Sequence, residues 1–172
     1  MATSIGVAAA QEGVEVVEIG DRPIPHPSGL SDACIVIEAD GEDAWADLPE
    51  PLPDFRAHSS AHLRERIRWA GIVGLGGAAF PTHVKLKPPE GKRLETLFIN
   101  GAECEPYLTT DHRVMLEQTA DIFEGIRYLQ KLTSARRTII AVEANKEDAA
   151  EVLRASVPED MSVDVILLRV KY

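Results

Sequence analysis

The stretch GIVGLGGAAFPTHVKL, Gly71 to Leu86, decides the fold, because its surroundings fix what kind of glycine loop it is. It holds four glycines, no acidic residue, a Phe-Pro-Thr and then Lys85. By letters alone, Gly74-x-Gly76-x-x-Ala79 satisfies the dinucleotide fingerprint G-x-G-x-x-G/A. That fingerprint needs a strand before it and a helix opening from it. Here a helix comes first: SSAHLRERIRWAG, 59–71, offers a serine N-cap, apolar Leu63, Ile67, Trp69 and Ala70, and a terminating glycine. A phosphate loop of the Walker type fails too, since no Gly-Lys-Ser/Thr follows. The loop alone leaves two readings, a tight interhelical connection or an anion cradle.

Downstream, TLFING (96–101) opens with a continuous apolar run, the mark of a strand buried on both faces. HRVMLEQTADIFEGIRYLQKL (112–132) has helical spacing, with Ile122, Phe123, Ile126 and Leu129 on one stripe. TIIAVEA (138–144) is a second buried strand, NKEDAAEVLRASV (145–157) a helix with Asn145 as cap, and VDVILLRV (163–170) a third strand. The predicted fold class is α/β: a Rossmann-like βαβαβ parallel sheet with flanking helices. A sheet that stops on its last strand predicts that the natural chain continues.

Upstream, VEVVEI (14–19) and ACIVIEA (33–39) flank the Pro/Gly-rich DRPIPHPSGL and predict a short β-hairpin, a remnant of a β-sandwich. DGEDAWADLPEPLPDFRA (40–57) is acidic, carries three prolines and suits a linker. The domain reading is a β-rich remnant over 1–45, a linker over 46–58 and a Rossmann-like domain over 59–172.

Composition narrows the functional classes. The 172 residues are 45% apolar and 27% charged, with a formal net charge of −10, which argues against a nucleic-acid binder. Cys34 and Cys104 are the only cysteines, and no Cys-x-x-Cys exists for zinc or an iron–sulfur cluster. Cys34 reads as strand core and Cys104 as small buried filler. Trp45 and Trp69 read as packing or linker contacts. The longest uncharged run, Trp69 to Val84, is too short and glycine-rich to span a membrane. MATSIGVAAAQEG lacks the basic region of a signal peptide. His58 and His62, four apart, have no third ligand to make a metal site.

Two segments carry candidate chemistry. HVKLKPPEGKR (83–93) sets Lys85, Lys87, Lys92 and Arg93 against Glu90 alone, either an anion site beside the glycine loop or a solvated basic loop. INGAECEPYLTTDHR (99–113) begins at the carboxyl end of the first strand of the sheet, where ligands of open α/β sheets sit. Asn100, Glu103 and Glu105 can hydrogen-bond a polar heterocycle or a ribose, and a shared site would raise one carboxylate pKa. Thr110 or Asp111 is expected to cap the following helix.

GIVGLGGAAFPTHVKL, then INGAECEPYLTTDHR and DIFEGI, resemble the C component of the Rnf ion-translocating electron-transport complex. HPSGLSDACIVIEADGED is similar to the segment leading into that family's flavin domain. A more distant likeness is to the NADH-binding flavin subunit of respiratory complex I, whose loops read roughly GRGGAGFPTG and Asn-Ala-Asp-Glu. The resemblance implies a domain that binds FMN and NADH and takes hydride from NADH to FMN. Electrons then pass to 4Fe-4S clusters in a region downstream of this chain. Gly74, Gly76, Gly77 and Ala78 would cradle the cofactor, Phe80 would give an aromatic face, and Lys85 would pair with a phosphate. Asn100 and Glu103 would meet the flavin's polar edge or ribityl chain, and Glu105 the nicotinamide nucleotide. Implied partners are the other subunits of the membrane complex, on the cytoplasmic side of the bacterial inner membrane. The chain departs from the family at Ala79, where Gly is common, and from complex I at Leu75, where Arg stands. The downstream half of the flavin site has no counterpart here, so this chain alone is expected to hold cofactor poorly and to be inactive. The competing reading is a non-catalytic interaction module docking onto other subunits.

Overall fold

The computed structural model describes residues 14–24, 27–42, 44, 50–74, 78–103, 105 and 107–171. The chain divides into two compact units, one of Met1–Pro53 with Glu65–His83, the other of Asp54–Arg64 with Val84–Tyr172.

In the first unit, β1 (Val14–Pro23) pairs antiparallel with β2 (Ser31–Ala39), from Val14 opposite Ala39 to Pro23 opposite Ser31. The expected hairpin is present, and its turn is closed by the Ile24 N–H donating to the Leu30 carbonyl at 3.2 Å. In a two-stranded ribbon each side chain has only one neighbouring strand to pack on. Val16, Val17, Ile19 and Ile35 are accordingly exposed. Cys34 is only half-buried, its thiol donating to the Asp32 carbonyl at 3.2 Å, and is not the core residue the sequence implied. Helix α1 (Ser60–Trp69) ends in this unit at Gly71, whose φ of 66° is the left-handed turn that stops it. Its other end bears the expected cap, the Ser59 hydroxyl accepting from the His62 N–H at 3.2 Å. Trp69 is exposed, while Trp45 and Cys104 lie outside the described residues.

A short α2 (Thr82–Lys85) begins in the first unit and ends in the second, which then carries β3 (Thr96–Gly101), α3 (Thr110–Glu117) and α4 (Thr119–Thr133). These are followed by β4 (Arg137–Glu143), α5 (Glu147–Ala155) and β5 (Val163–Leu168). The three strands form one parallel sheet in the order β3-β4-β5, with Ile99 opposite Ile140 and Ile140 opposite Val165. Parallel strands need long crossovers, which the intervening helices supply. The core lies on one face of this sheet: Ile140 and Val142 pack with Met115, Phe123, Ile126, Ala149, Ala150 and Leu153. Phe123 and Ile126 are the centre of the helical stripe read from the sequence. On the other face Phe98, Ile166 and Leu168 stay 67%, 39% and 40% exposed.

Two local expectations change. The single helix over 112–132 is two, broken at Gln118, whose φ and ψ are −123° and 34°. The Thr119 hydroxyl donates to the Met115 carbonyl at 2.6 Å, taking the acceptor a continuous helix would reserve for a backbone N–H. The first helical residue of α5 follows Lys146, not Asn145, and Lys146 makes no side-chain cap bond. Its ammonium is engaged elsewhere, at the carboxyl edge of the sheet.

Candidate functional site

The carboxyl end of β3 is built around Asn100 and Gly101. A Cβ on Gly101 would come within 3.1 Å of both the Ala141 carbonyl oxygen and the Met115 sulfur, so glycine is what lets α3 pack against the strand end. Asn100 is exposed; its Oδ1 accepts from the Ala102 N–H at 3.1 Å, and its amide group has no partner among the described residues. Two donors therefore remain at the edge where α/β sheets bind ligands. A cleft of about 130 Å³ lies beside it, lined by Asn100, Gly101, Asp111, Met115, Ile140 and Leu153. That is below the roughly 300 Å³ of small-molecule pockets, so this edge supplies contacts and not an enclosure.

Glu103 follows three residues after Asn100 and has a different setting from it. Its side chain is 3% exposed. One carboxylate oxygen accepts from Lys146 Nζ at 2.7 Å and the other from the Asp111 N–H at 2.9 Å. The residue at the N-cap of α3, Thr109, makes no side-chain bond, so the cap comes from eight residues upstream of Asp111 and not from Thr110 or Asp111. Burial raises the Glu103 carboxyl, but the Lys146 hydrogen bond, the Asp111 N–H, the Lys146 charge and the His112 N–H outweigh it. The net direction is down, opposite to the raised carboxylate expected of a shared acidic site. Glu143, the last residue of β4, approaches Lys146 Nζ at 3.6 Å with a side chain 13% exposed. Burial pushes Lys146 down, and the two carboxylates reverse this and raise it. Beside the triad, His112 Nε2 meets Asp148 at 2.9 Å, tying the first turn of α3 to the first turn of α5. The His112 hydrogen bond, helped by the Ala149 N–H, holds the Asp148 carboxyl below its ordinary value.

Sequence reasoning missed Lys146, Glu143, His112 and Asp148. Only Lys146 carried a readable signal, a cation at a helix N-terminus, where the helix dipole favours anions.

Glu105 is exposed, and its carbonyl accepts from the Leu108 N–H at 3.3 Å. Tyr107 is fully exposed with φ 65°. Lys85 ends α2, exposed and in no ion pair among the described residues. Of the basic segment, Lys92 and Arg93 line a cleft of about 620 Å³ at the amino end of the sheet, with Glu95, Ser134 and Arg136, and Lys85 and Lys87 are not part of that lining.

The glycine loop belongs to the first unit. Val73 bridges Pro81, Gly74 N–H donates to the Phe80 carbonyl at 2.9 Å, and Thr82 N–H donates to the Ile72 carbonyl at 3.2 Å. Gly74 thus closes the loop with its N–H, and any amide donors for an anion must come from residues after it. Ala78 and Phe80 are exposed, and Gly76 and Gly77 lie outside the described residues. Ala79 holds a φ of 45°, a conformation that favours glycine.

In the second unit Asn100 brings an amide unpartnered among the described residues and Lys85 an exposed ammonium, donors of the kind a phosphorylated, hydrogen-bonding cofactor takes. Glu103 has the setting of a support, its side chain 3% exposed and each oxygen accepting a hydrogen bond from within the fold.

The family description "Nuo51 FMN-binding domain" matches residues 67–172. The C components of the ion-translocating oxidoreductase complexes of Salmonella gallinarum, Salmonella dublin and Salmonella enteritidis are each 43% identical over 157 residues. That alignment covers 91% of this chain but only 22–23% of each relative, so the chain spans less than a quarter of their length. No helix among the described residues is long and apolar enough to cross a membrane.

Proposed function

Because the chain belongs to the Nuo51 FMN-binding domain family, we propose that it supplies part of an FMN and NADH site in a subunit of an ion-translocating electron-transport complex. The observation that carries this reading is Asn100, whose two free donors stand at the carboxyl end of a parallel strand in a sequence matched to a flavin domain. Bound FMN would accept hydride from NADH and release electrons one at a time, to 4Fe-4S clusters held outside this chain.

In this proposal the amides at Gly76, Gly77 and Ala78 hold an anionic or carbonyl group, and Gly74 keeps the loop closed. Phe80 offers an apolar ring face. Lys85 pairs with a phosphate, a charge-assisted contact that a neutral group would not replace. Asn100 donates to the flavin's polar edge or ribityl chain, and Glu105 accepts from a nucleotide hydroxyl. Glu103 acts on the cofactor through the loop it anchors. The domain reading of 1–45, 46–58 and 59–172 and a peripheral place on the cytoplasmic side of the bacterial inner membrane belong to the same proposal. So does the expectation that the chain is inactive alone.

The test exchanges the matching 157 residues of the Salmonella gallinarum subunit for this chain and follows FMN fluorescence and gel-filtration retention. The exchanged subunit should retain FMN and its flavin absorbance should bleach with NADH. Retention by the parent subunit and loss in the exchanged one would overturn the reading.

One observation favours a second reading, an interaction module: Phe98, Ile166 and Leu168 expose an apolar sheet face that parallel sheets ordinarily cover. Tight FMN binding by this chain alone would remove the need for it.

A further inference from the structure

A lysine at the N-cap of α5 is the wrong sign for that position. Helix N-termini stabilise anions, and the position usually carries Ser, Thr, Asp or Asn. Lys146 has no cap bond to offer, and its side chain is only 10% exposed. Burial of an ammonium is costly unless it is paired and hydrogen-bonded. Its pairing accounts for the placement: Nζ lies 2.7 Å from Glu103 and 3.6 Å from Glu143, both themselves nearly dry. Glu103 in turn caps α3 at the Asp111 N–H. The chain of contacts runs from α5 through Lys146 and Glu103 to the first turn of α3, and the segment it closes is 102–110.

We infer that Lys146 is a positioning residue for the cofactor site: it holds the Glu103 carboxylate against the start of α3 and so fixes the loop that follows Asn100 and carries Glu105. This rests on the flavin reading for the ligand, but not for the mechanical part. Without the ammonium, Glu103 is a buried carboxylate with only the Asp111 and His112 N–H groups facing it and no counter-charge, and it must protonate or leave. In either case the loop loses its anchor. The His112–Asp148 contact joins the same two helix ends, but Asp148 is 60% exposed on its side chain and cannot substitute for the buried tie.

Lys146→Met, Lys146→Arg and the double variant Glu103→Gln/Lys146→Met test the inference by hydrogen exchange on this chain and by FMN titration of the exchanged Salmonella subunit. In Lys146→Met the Asp111 and His112 amides should exchange at least tenfold faster, and by a larger factor than Val142 and Leu153, whose acceleration reports only the fall in global stability. FMN affinity should fall about tenfold, the size seen when a group that only orients a ligand contact is removed. Lys146→Arg should recover part of both. The double variant, with no orphaned charge, should regain the stability of the fold but not the affinity. Equal acceleration at all amides, or recovery of affinity in the double variant, would overturn a positioning role. If the parent exchange fails to bind FMN at all, the functional proposal falls while the amide exchange still decides Lys146.

Discussion

Replacing Glu103 with Gln keeps the shape of the side chain and one acceptor for the Asp111 N–H, and removes only the charge facing Lys146. Removing one partner of a buried pair costs about 3–5 kcal/mol when the other charge is left uncompensated. Here Lys146 keeps Glu143 at 3.6 Å, beyond hydrogen-bond reach, so partial compensation remains. We expect Glu103→Gln to cost about 2–3 kcal/mol, a charge-assisted hydrogen bond together with its close Coulomb contact. Glu143→Gln removes the longer contact alone and should cost about 1 kcal/mol. The pH dependence follows from the direction of the shift. Glu103 is lowered in the folded state, so the unfolded chain binds the extra proton as pH falls. Its stabilisation is therefore complete above the ordinary carboxylate range and is lost as pH drops through the folded value. Lys146 is raised, so its share is complete below the ordinary lysine range and fades as pH rises beyond it. Urea denaturation followed by far-UV circular dichroism, from pH 3 to neutrality, should show the gap between native and Glu103→Gln protein closing in acid. A gap independent of pH, or Glu143→Gln costing as much as Glu103→Gln, would refute the assignment of the stronger tie to Glu103.

Three other substitutions probe different parts of the chain. Leu153→Ala empties a fully buried position in the core beside Ile140 and should cost about 2–5 kcal/mol in urea titrations, a loss under 1 kcal/mol counting against that packing. Ala79→Gly relieves a left-handed φ of 45° and should stabilise the first unit by up to about 1 kcal/mol in the same assay, whereas destabilisation would contradict the backbone conformation. Lys85→Ala in the exchanged subunit should weaken FMN or NADH binding by about 1.5–3 kcal/mol, and an unchanged dissociation constant would remove Lys85 from the site.

The sheet was legible because its signal is local. Three continuous apolar runs separated by helical spacing admit little except a parallel β-α-β-α-β order, and TLFING, TIIAVEA and VDVILLRV fall within one or two residues of β3, β4 and β5. The hairpin was legible for the same reason. The break at Gln118 was hidden because the apolar stripe of Ile122, Phe123 and Ile126 continues the helical period from Met115, while the interruption is made by one hydroxyl to one carbonyl. Cys34 was misread because alternation in a strand tells which face a residue takes, not whether anything covers that face. Glu103 and Lys146 are 43 residues apart, and no window of periodicity connects them.

The two carboxylates of Glu-Cys-Glu show why residue type alone could not assign the site. They are two positions apart, and a reading from the letters gives them one shared role. Their surroundings separate them: Glu103 turns inward, caps α3 and is neutralised by Lys146, while Glu105 is on the surface. An acidic site that shares a proton needs both groups in one poorly solvated place without a cation. Here the buried one has its own cation and is held ionised, so it brings no negative charge to a ligand. Among the proposed contacts at this strand end, the ligand-facing chemistry then reduces to the Asn100 amide and the Glu105 carboxylate, one donor group and one acceptor. Such a pair suits a neutral ring edge and a sugar hydroxyl better than it suits acid–base catalysis. It also implies an order of effects: changes at Asn100 or Glu105 should alter affinity with little cost in stability, while changes at Glu103 or Lys146 should alter both.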